Sequence, residues 1–327
     1  MADRKILFLS KSDTAASTRY RALNFFHFLQ AAGWSPVHMT MPGSTDSWRQ
    51  LLQEVRSADV TVVLRRLPGP LGRRRLRRAA RHLIFDFDDA IHCGTAEAGS
   101  ARRRRRFEAM VRLADQVWAG NRHLAEVARP FGRSVHRLVT SVDPGRYRTD
   151  IQKPADHLDL VWIGSSATRP YLEQLGPVLG RFSKSFPSAR LKIVADFEWP
   201  EAPCPTVAVP WNEQTEAESL ASAHIGVAPM PDNAWTRGKC GCKVLQYMAA
   251  GLPVVASDVL IHREILQPIG GGLVRNPAQW QEALARLGRD AELRRRWGEL
   301  GRGQVEKNYA LERTARQMVG LLDSASV

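Results

Sequence analysis

No apolar run in the sequence approaches the roughly 20 residues that a membrane-crossing helix needs, which argues against a helical membrane protein. Cysteine is scarce: Cys93, Cys204, Cys240 and Cys242 are the four in 327 residues, and none has zinc-ligand spacing. They read as free thiols. A signal-peptide core is missing as well. The chain runs from Met1-Ala2-Asp3-Arg4-Lys5 straight into Ile6-Leu7-Phe8-Leu9, which leads to the expectation of a cytoplasmic protein. Acidic residues are few, and the shortage is local. Residues 1–150 hold 27 Lys and Arg against 14 Asp and Glu, a net +13; residues 151–327 hold 20 against 19, a net +1. Aromatic rings are absent from the densest basic runs, Arg73–Arg78 and Arg102–Arg106. Without rings for base stacking, these runs weigh against a nucleic-acid binder. The charge points instead to a phosphorylated acceptor or an acidic membrane face, unless it is simply a solvated arginine-rich surface.

What is present is a globular composition, 44% hydrophobic, in short apolar strands alternating with amphipathic segments. Ile6–Leu9, Val60–Leu64, Leu83–Asp86 and Gln116–Ala119 read as strands, with helices over Arg21–Ala32 (ending at Gly33) and Phe107–Ala114. The polar, turn-rich stretch Val142–Pro154 suits a linker. Strands then resume at Leu160–Ile163, Leu191–Val194, Ile225–Pro229 and Val254–Ala256, with helices over Pro170–Phe182 and Lys243–Ala250. This alternation predicts an α/β fold of two Rossmann-like domains with parallel sheets, divided near residue 150. Ligands in such sheets sit at the carboxyl ends of the strands.

The segment Arg237–Ser257 carries the most chemistry. Gly238 and Gly241 let the backbone approach a ligand, and helix-start amides with Lys239 and Lys243 suit a diphosphate. Gln246, three residues after Lys243, shares its helix face and offers an amide to sugar or ribose hydroxyls. Gly164 and Ser165 follow a strand where a diphosphate would lie, or form an ordinary turn; Arg169 adds a cation there, as a clamp or as an exposed arginine.

Gln246-Tyr247-Met248-Ala249-Ala250-Gly251-Leu252-Pro253-Val254-Val255 resembles the helix and Gly-x-Pro-Val-Val strand of retaining family 4 glycosyltransferases (glycosyl transferases group 1). The resemblance continues through Arg263-Glu264-Ile265, Gly270-Gly271-Gly272-Leu273-Val274, Trp162-Ile163-Gly164-Ser165 and Phe85-Asp86-Phe87-Asp88-Asp89-Ala90. It implies the GT-B architecture, with two parallel sheets facing a central cleft. It implies an acceptor-binding domain over 1–150, a donor-binding domain over 151–307, and a last helix, 308–327, packed on the first. The family pattern has two glutamates with seven residues between them; here Gly238 and Gln246 stand at those positions. Val259-Leu260-Ile261-His262 departs from the commoner Val-Gly-x-Asn.

The resemblance implies sugar transfer from a nucleoside-diphosphate sugar to a glycan or lipid-linked acceptor, in polysaccharide or glycolipid synthesis, with retention. Donor binding then falls to Gly164, Ser165, Arg169, Gly238, Lys239, Gly241, Lys243, Gln246 and Glu264. In the first half, Arg19 and Arg21 follow the first strand, where an acceptor loop sits, or are surface arginines beside a helix cap. Asp86, Asp88 and Asp89 crowd a strand end. Strand alternation predicts Asp86 and Asp88 on one face and Asp89 on the other. Asp88 and Asp89 would orient an acceptor hydroxyl or steady positive charge on the sugar carbon; the structural reading is a helix cap. His92 lies beyond them, acceptor-facing or simply at the surface. No metal or other cofactor is expected, because Lys and Arg supply the positive charge. Two rival readings remain: a nucleotide-sugar epimerase of GT-B shape, and a non-enzymatic binder of anionic polymers. The basic half suggests peripheral attachment to an anionic membrane.

Overall fold

The computed structural model describes residues 4–41, 45–93 and 100–324. They form two units: residues 1–141, 233–240 and 311–327 make the first, and residues 142–232 with 241–310 the second. Each is built on one parallel six-stranded sheet, and the fold is α/β.

The first sheet contains β1 (Arg4–Ser10), β2 (Trp34–Thr40), β3 (Val60–Leu64), β4 (His82–Phe87), β5 (Gln116–Ala119) and β6 (Val135–Arg137), in the order β2-β1-β3-β4-β5-β6. Its central strands are buried along nearly their whole length, so they are mostly apolar. Alternate residues feed opposite faces. Leu7, Val63, Phe85 and Val117 pack against Leu76, Phe107, Met110 and Leu124 of the helices Pro70–Ala79, Ala101–Leu113 and Arg122–Ala128. Ile6, Val62, Ile84 and Trp118 pack on the other side against Phe25 and Leu29, and against Leu311, Ala315 and Met318 of the helix Leu311–Asp323.

The second sheet contains β7 (Leu158–Ile163), β8 (Ala189–Ala195), β9 (Thr206–Pro210), β10 (Ile225–Ala228), β11 (Val254–Ser257) and β12 (Leu273–Val274), in the order β12-β11-β10-β7-β8-β9. Strand order reverses between β7 and β10 here, and between β1 and β3 in the first sheet. Open α/β sheets hold ligands at such points, beyond the carboxyl ends of the strands.

Two helices expected as single pieces are broken. In place of Arg21–Ala32 stand helices Ala16–Arg21 and Phe26–Ala31 with a 3-10 turn at Leu23–Phe25, because Ala22 leaves the helical region at φ −136° and ψ −69°. In place of Pro170–Phe182 stand helices Arg169–Glu173 and Gly176–Ser185. Pro177 opens the second of these: its ring suits a first turn, where no amide hydrogen bond is lost.

Candidate functional site

In the second unit the helix Cys242–Ala249 starts at the switch point. Gly241 precedes it in the left-handed region at φ 67°, a conformation that costs a residue with a Cβ, and no side chain caps the helix. Its first amides therefore lack intrahelical acceptors and add partial positive charge. Tyr247 fixes the helix to the sheet: its hydroxyl accepts the amide hydrogen of Ile163 at 2.9 Å and donates to the Val227 carbonyl at 3.4 Å. This places Lys243 beside the end of β7. The ammonium lies 4.1 Å from the Trp162 ring centroid and donates to Thr168 Oγ1 at 3.1 Å.

Gly164 makes that position possible. A Cβ built there would lie 2.1 Å from Trp162 Cη2 and 2.7 Å from Lys243 Nζ. Ser165 and Thr168 close the turn reciprocally, with the Ser165 amide donating to Thr168 Oγ1 at 3.3 Å. Gly164, Ser165, Gly241 and Lys243 thus converge on one cationic strand end. Gln246, on the same helix, is buried and shares a hydrogen bond with the Tyr147 hydroxyl. Burial raises the Tyr147 pKa, and the nearby Glu216 adds to this, so the hydroxyl stays protonated.

In the first unit the carboxylates at the end of β4 are each matched to a cation. Asp86 is paired with Arg21, both about 1% exposed, and Arg21 Nη1 also donates to the Leu138 carbonyl at 2.7 Å. Asp88 and Asp89 share Arg65, at 3.4 and 2.7 Å, and the Lys239 ammonium adds a contact to Asp89 at 3.0 Å. Asp88 and Asp89 therefore turn toward a common partner, contrary to strand alternation. The reason is that β4 ends at Phe87 and the period of two ends with it. Burial raises the Asp89 pKa, while Lys239 and Arg65 oppose the shift. Arg65 has φ 54°, the one positive value outside glycine among the described residues. A backbone outlier at a strand end is the kind of strain that collects at functional sites.

Residues 190–290 match the family described as Glycosyl transferases group 1, and the match spans the segment from Gly241 through Ser257. The protein is a glycosyltransferase with a group 1 domain. Its fold is that of GT-B enzymes over nearly its whole length. Sucrose-phosphate synthase from Thermosynechococcus elongatus superposes with a TM-score of 0.76 at 16% identity, covering 98% of both chains. WaaG, a glycosyltransferase of lipopolysaccharide biosynthesis, gives 0.69 at 16% identity, covering 96% of this chain and 99% of its own. HepE of Anabaena, solved with UDP and glucose, gives 0.68 at 14% identity, covering 98% and 100%. Among the curated proteins, none matches the chain by sequence.

Several residues singled out in the glycosyltransferase sequence lie elsewhere than expected. Arg21 is buried against Asp86, so its guanidinium does not face a ligand. Arg19 is also buried, its guanidinium 4.8 Å over the Tyr20 ring. Arg169 is held by Glu173 at 2.6 Å and Glu201 at 3.3 Å, and lies over Phe197, which replaces the phosphate clamp by a surface network. Gly238 and Lys239 belong to the first unit, where Gly238 backs onto Ala90 and Lys239 lies 4.7 Å over Trp235. Glu264 is half-buried on the helix Leu260–Leu266. His92 does not titrate near neutrality: burial, then His123 and Arg104, lower its pKa to about 4. Sequence reading passed over Arg65, Trp162 and Thr168. Arg65 had a usable signal, since it directly follows the carboxyl end of the buried strand Val60–Leu64. Trp162 stood in the sequence only as part of the strand and glycine turn Trp162–Ser165; its ring is buried in the core and supports Lys243.

Proposed function

We propose that the enzyme transfers a sugar from a nucleoside-diphosphate sugar to a glycan or lipid-linked acceptor, with retention at the sugar carbon. The donor is held by residues 151–307 and the acceptor by residues 1–150 with the last helix. The observation that carries the donor half is the Lys243 ammonium, held on Trp162 beside the uncapped start of its helix and the open backbone at Gly164. Fixed cation and amides there meet the negative charge that grows on the leaving diphosphate as the bond to the sugar carbon breaks, without reorganising at that moment. The acceptor oxygen bonds the same carbon, and its proton passes to the departing diphosphate. HepE and the pneumococcal O-GlcNAc transferase GtfA were each solved with UDP and a sugar, which supports a donor of this class.

Asp88 and Asp89 are the carboxylates proposed to orient the acceptor hydroxyl or steady positive charge on the sugar carbon. Arg65 spans both carboxylates and Lys239 adds a contact to Asp89, which fixes the two side chains. Each Asp→Asn change removes a charge while preserving size. In a panel of nucleotide sugars and acceptors, Asp88→Asn and Asp89→Asn should lower turnover by roughly 10²-fold or more, the scale of a general acid–base contribution. Donor affinity by calorimetry should be unchanged. Full turnover in both variants would remove them from the chemistry. Product formed from donor alone, with no acceptor, would favour an epimerase. The excess charge of the first 150 residues supports peripheral attachment to an anionic membrane surface.

A further inference from the structure

The first unit contains a cavity of about 840 Å³ at the β1/β3 switch point, within the size range of small-molecule sites. Six cations line it, and they come from four separate pieces of chain. Lys11 follows β1; Arg65 and Arg66 follow β3; Arg75 stands on the helix Pro70–Ala79; Arg103 and Arg106 stand on the helix Ala101–Leu113. No Asp or Glu is among the described residues that line it. Arg65 is committed to Asp88 and Asp89, but Lys11, Arg66, Arg75, Arg103 and Arg106 make no side-chain ion pair or hydrogen bond with any described residue.

Five cations around one cavity, none ion-paired with a described residue, repel one another. Arg73, beside them, records the crowding: burial, then repulsion from Arg106, lowers its pKa. The helix Pro70–Ala79 also opens onto the cavity through Gly69, Leu71 and Gly72, again without a side-chain cap. Its free amides add to the positive field. The remaining wall includes the indoles of Trp48 and Trp235 and the apolar Leu67 and Leu71. A purely solvated basic surface would not need an aromatic-walled cavity, and an uncharged sugar would not need five cations.

We infer that this cavity binds a phosphate or diphosphate ester, and so that the acceptor carries a phosphate next to the sugar being extended. The inference rests on the reading that the first unit takes the acceptor. Arginine forks grip phosphate oxygens bidentately, and the indoles offer flat faces to a ring. A phosphate on a soluble sugar and a phosphate in a lipid headgroup present the same chemistry to these residues.

The test uses the full-length protein and two probes: inorganic pyrophosphate, by calorimetry, and vesicles of phosphatidylglycerol, by sedimentation. The variants are Arg75→Ser/Arg106→Ser and, at exposed positions that cannot disturb folding, Lys11→Ser/Arg103→Ser. Arg102→Ser/Arg105→Ser removes the same charge outside the cavity. Lys243→Ala weakens the second-unit site, so pyrophosphate affinity that is unchanged in it belongs to the first unit. Pyrophosphate binding that persists in Lys243→Ala, and weakens about tenfold or more in both cavity variants only, supports the inference with a soluble ester as source. Binding to vesicles alone, lost in the cavity variants and kept in Arg102→Ser/Arg105→Ser, supports it with a lipid phosphate as source. Equal behaviour of the cavity variants and parent toward both probes overturns it, whatever becomes of nucleoside diphosphate binding, which tests the donor reading separately.

Discussion

Arg21→Ala is expected to cost the protein about 3–5 kcal/mol of stability, read as a lower denaturant midpoint at unchanged slope. The guanidinium is buried, bidentate on Asp86, and bonded to the Leu138 carbonyl. Burial alone would weaken its charge, but Asp86 more than offsets that and raises the Arg21 pKa. Removing the arginine leaves a carboxylate and a carbonyl without partners in an apolar layer with Phe8, Ile84 and Trp118 beside it. The attraction within the pair is large, yet the desolvation of two ions is comparable, so deleting both should hurt less than deleting one. Arg21→Met with Asp86→Leu should therefore be more stable than Arg21→Ala. If the single variant unfolds at the parent's midpoint, the pair does not anchor β4 to the helix Ala16–Arg21.

Gly164→Ala should weaken nucleoside diphosphate binding about a hundredfold, roughly 2.7 kcal/mol. The added methyl would fall 2.1 Å from Trp162 Cη2, and Trp162 is about 1% exposed, so the indole cannot swing into solvent. Overpacking of this kind costs about 1–3 kcal/mol and is relieved by moving the neighbour that moves most easily. Here that neighbour is the Lys243 ammonium, 2.7 Å from the same Cβ. The strain thus falls on the side chain proposed to meet the diphosphate. Calorimetry with UDP and GDP checks it, alongside a melting curve. A variant that loses stability but binds as well as the parent would make Gly164 a packing residue alone.

The central strands and the parallel, two-sheet architecture were legible because buried strands of parallel sheets are runs of Val, Ile, Leu and Phe. Val60–Leu64 was read with the same ends the structure shows. Edge strands escaped notice. β2 holds Pro36 and His38, which an edge tolerates because one side of the strand needs no ladder partner. β9 is half exposed along its length and ends in Pro210. The Lys243 neighbourhood was legible from Gly241 and the helix that follows. The partner of Asp86 was not, since nothing local distinguishes a buried arginine from an exposed one in Arg19-Tyr20-Arg21. The cationic cavity was half legible: the excess charge was plain, but its convergence from four pieces of chain is a product of topology.

The most direct measurement of the central claim is a calorimetric titration of the parent and Lys243→Ala with a set of nucleoside diphosphates. Lys243 contributes one charge-assisted interaction at a site also served by backbone amides, so its loss should weaken rather than abolish binding. The expected result is that the parent binds at least one of them and that Lys243→Ala binds it about 1–3 kcal/mol more weakly, with an unchanged melting temperature. Equal affinity in the two proteins, or a parent that binds no nucleoside diphosphate, would contradict a donor site built on the start of the helix Cys242–Ala249.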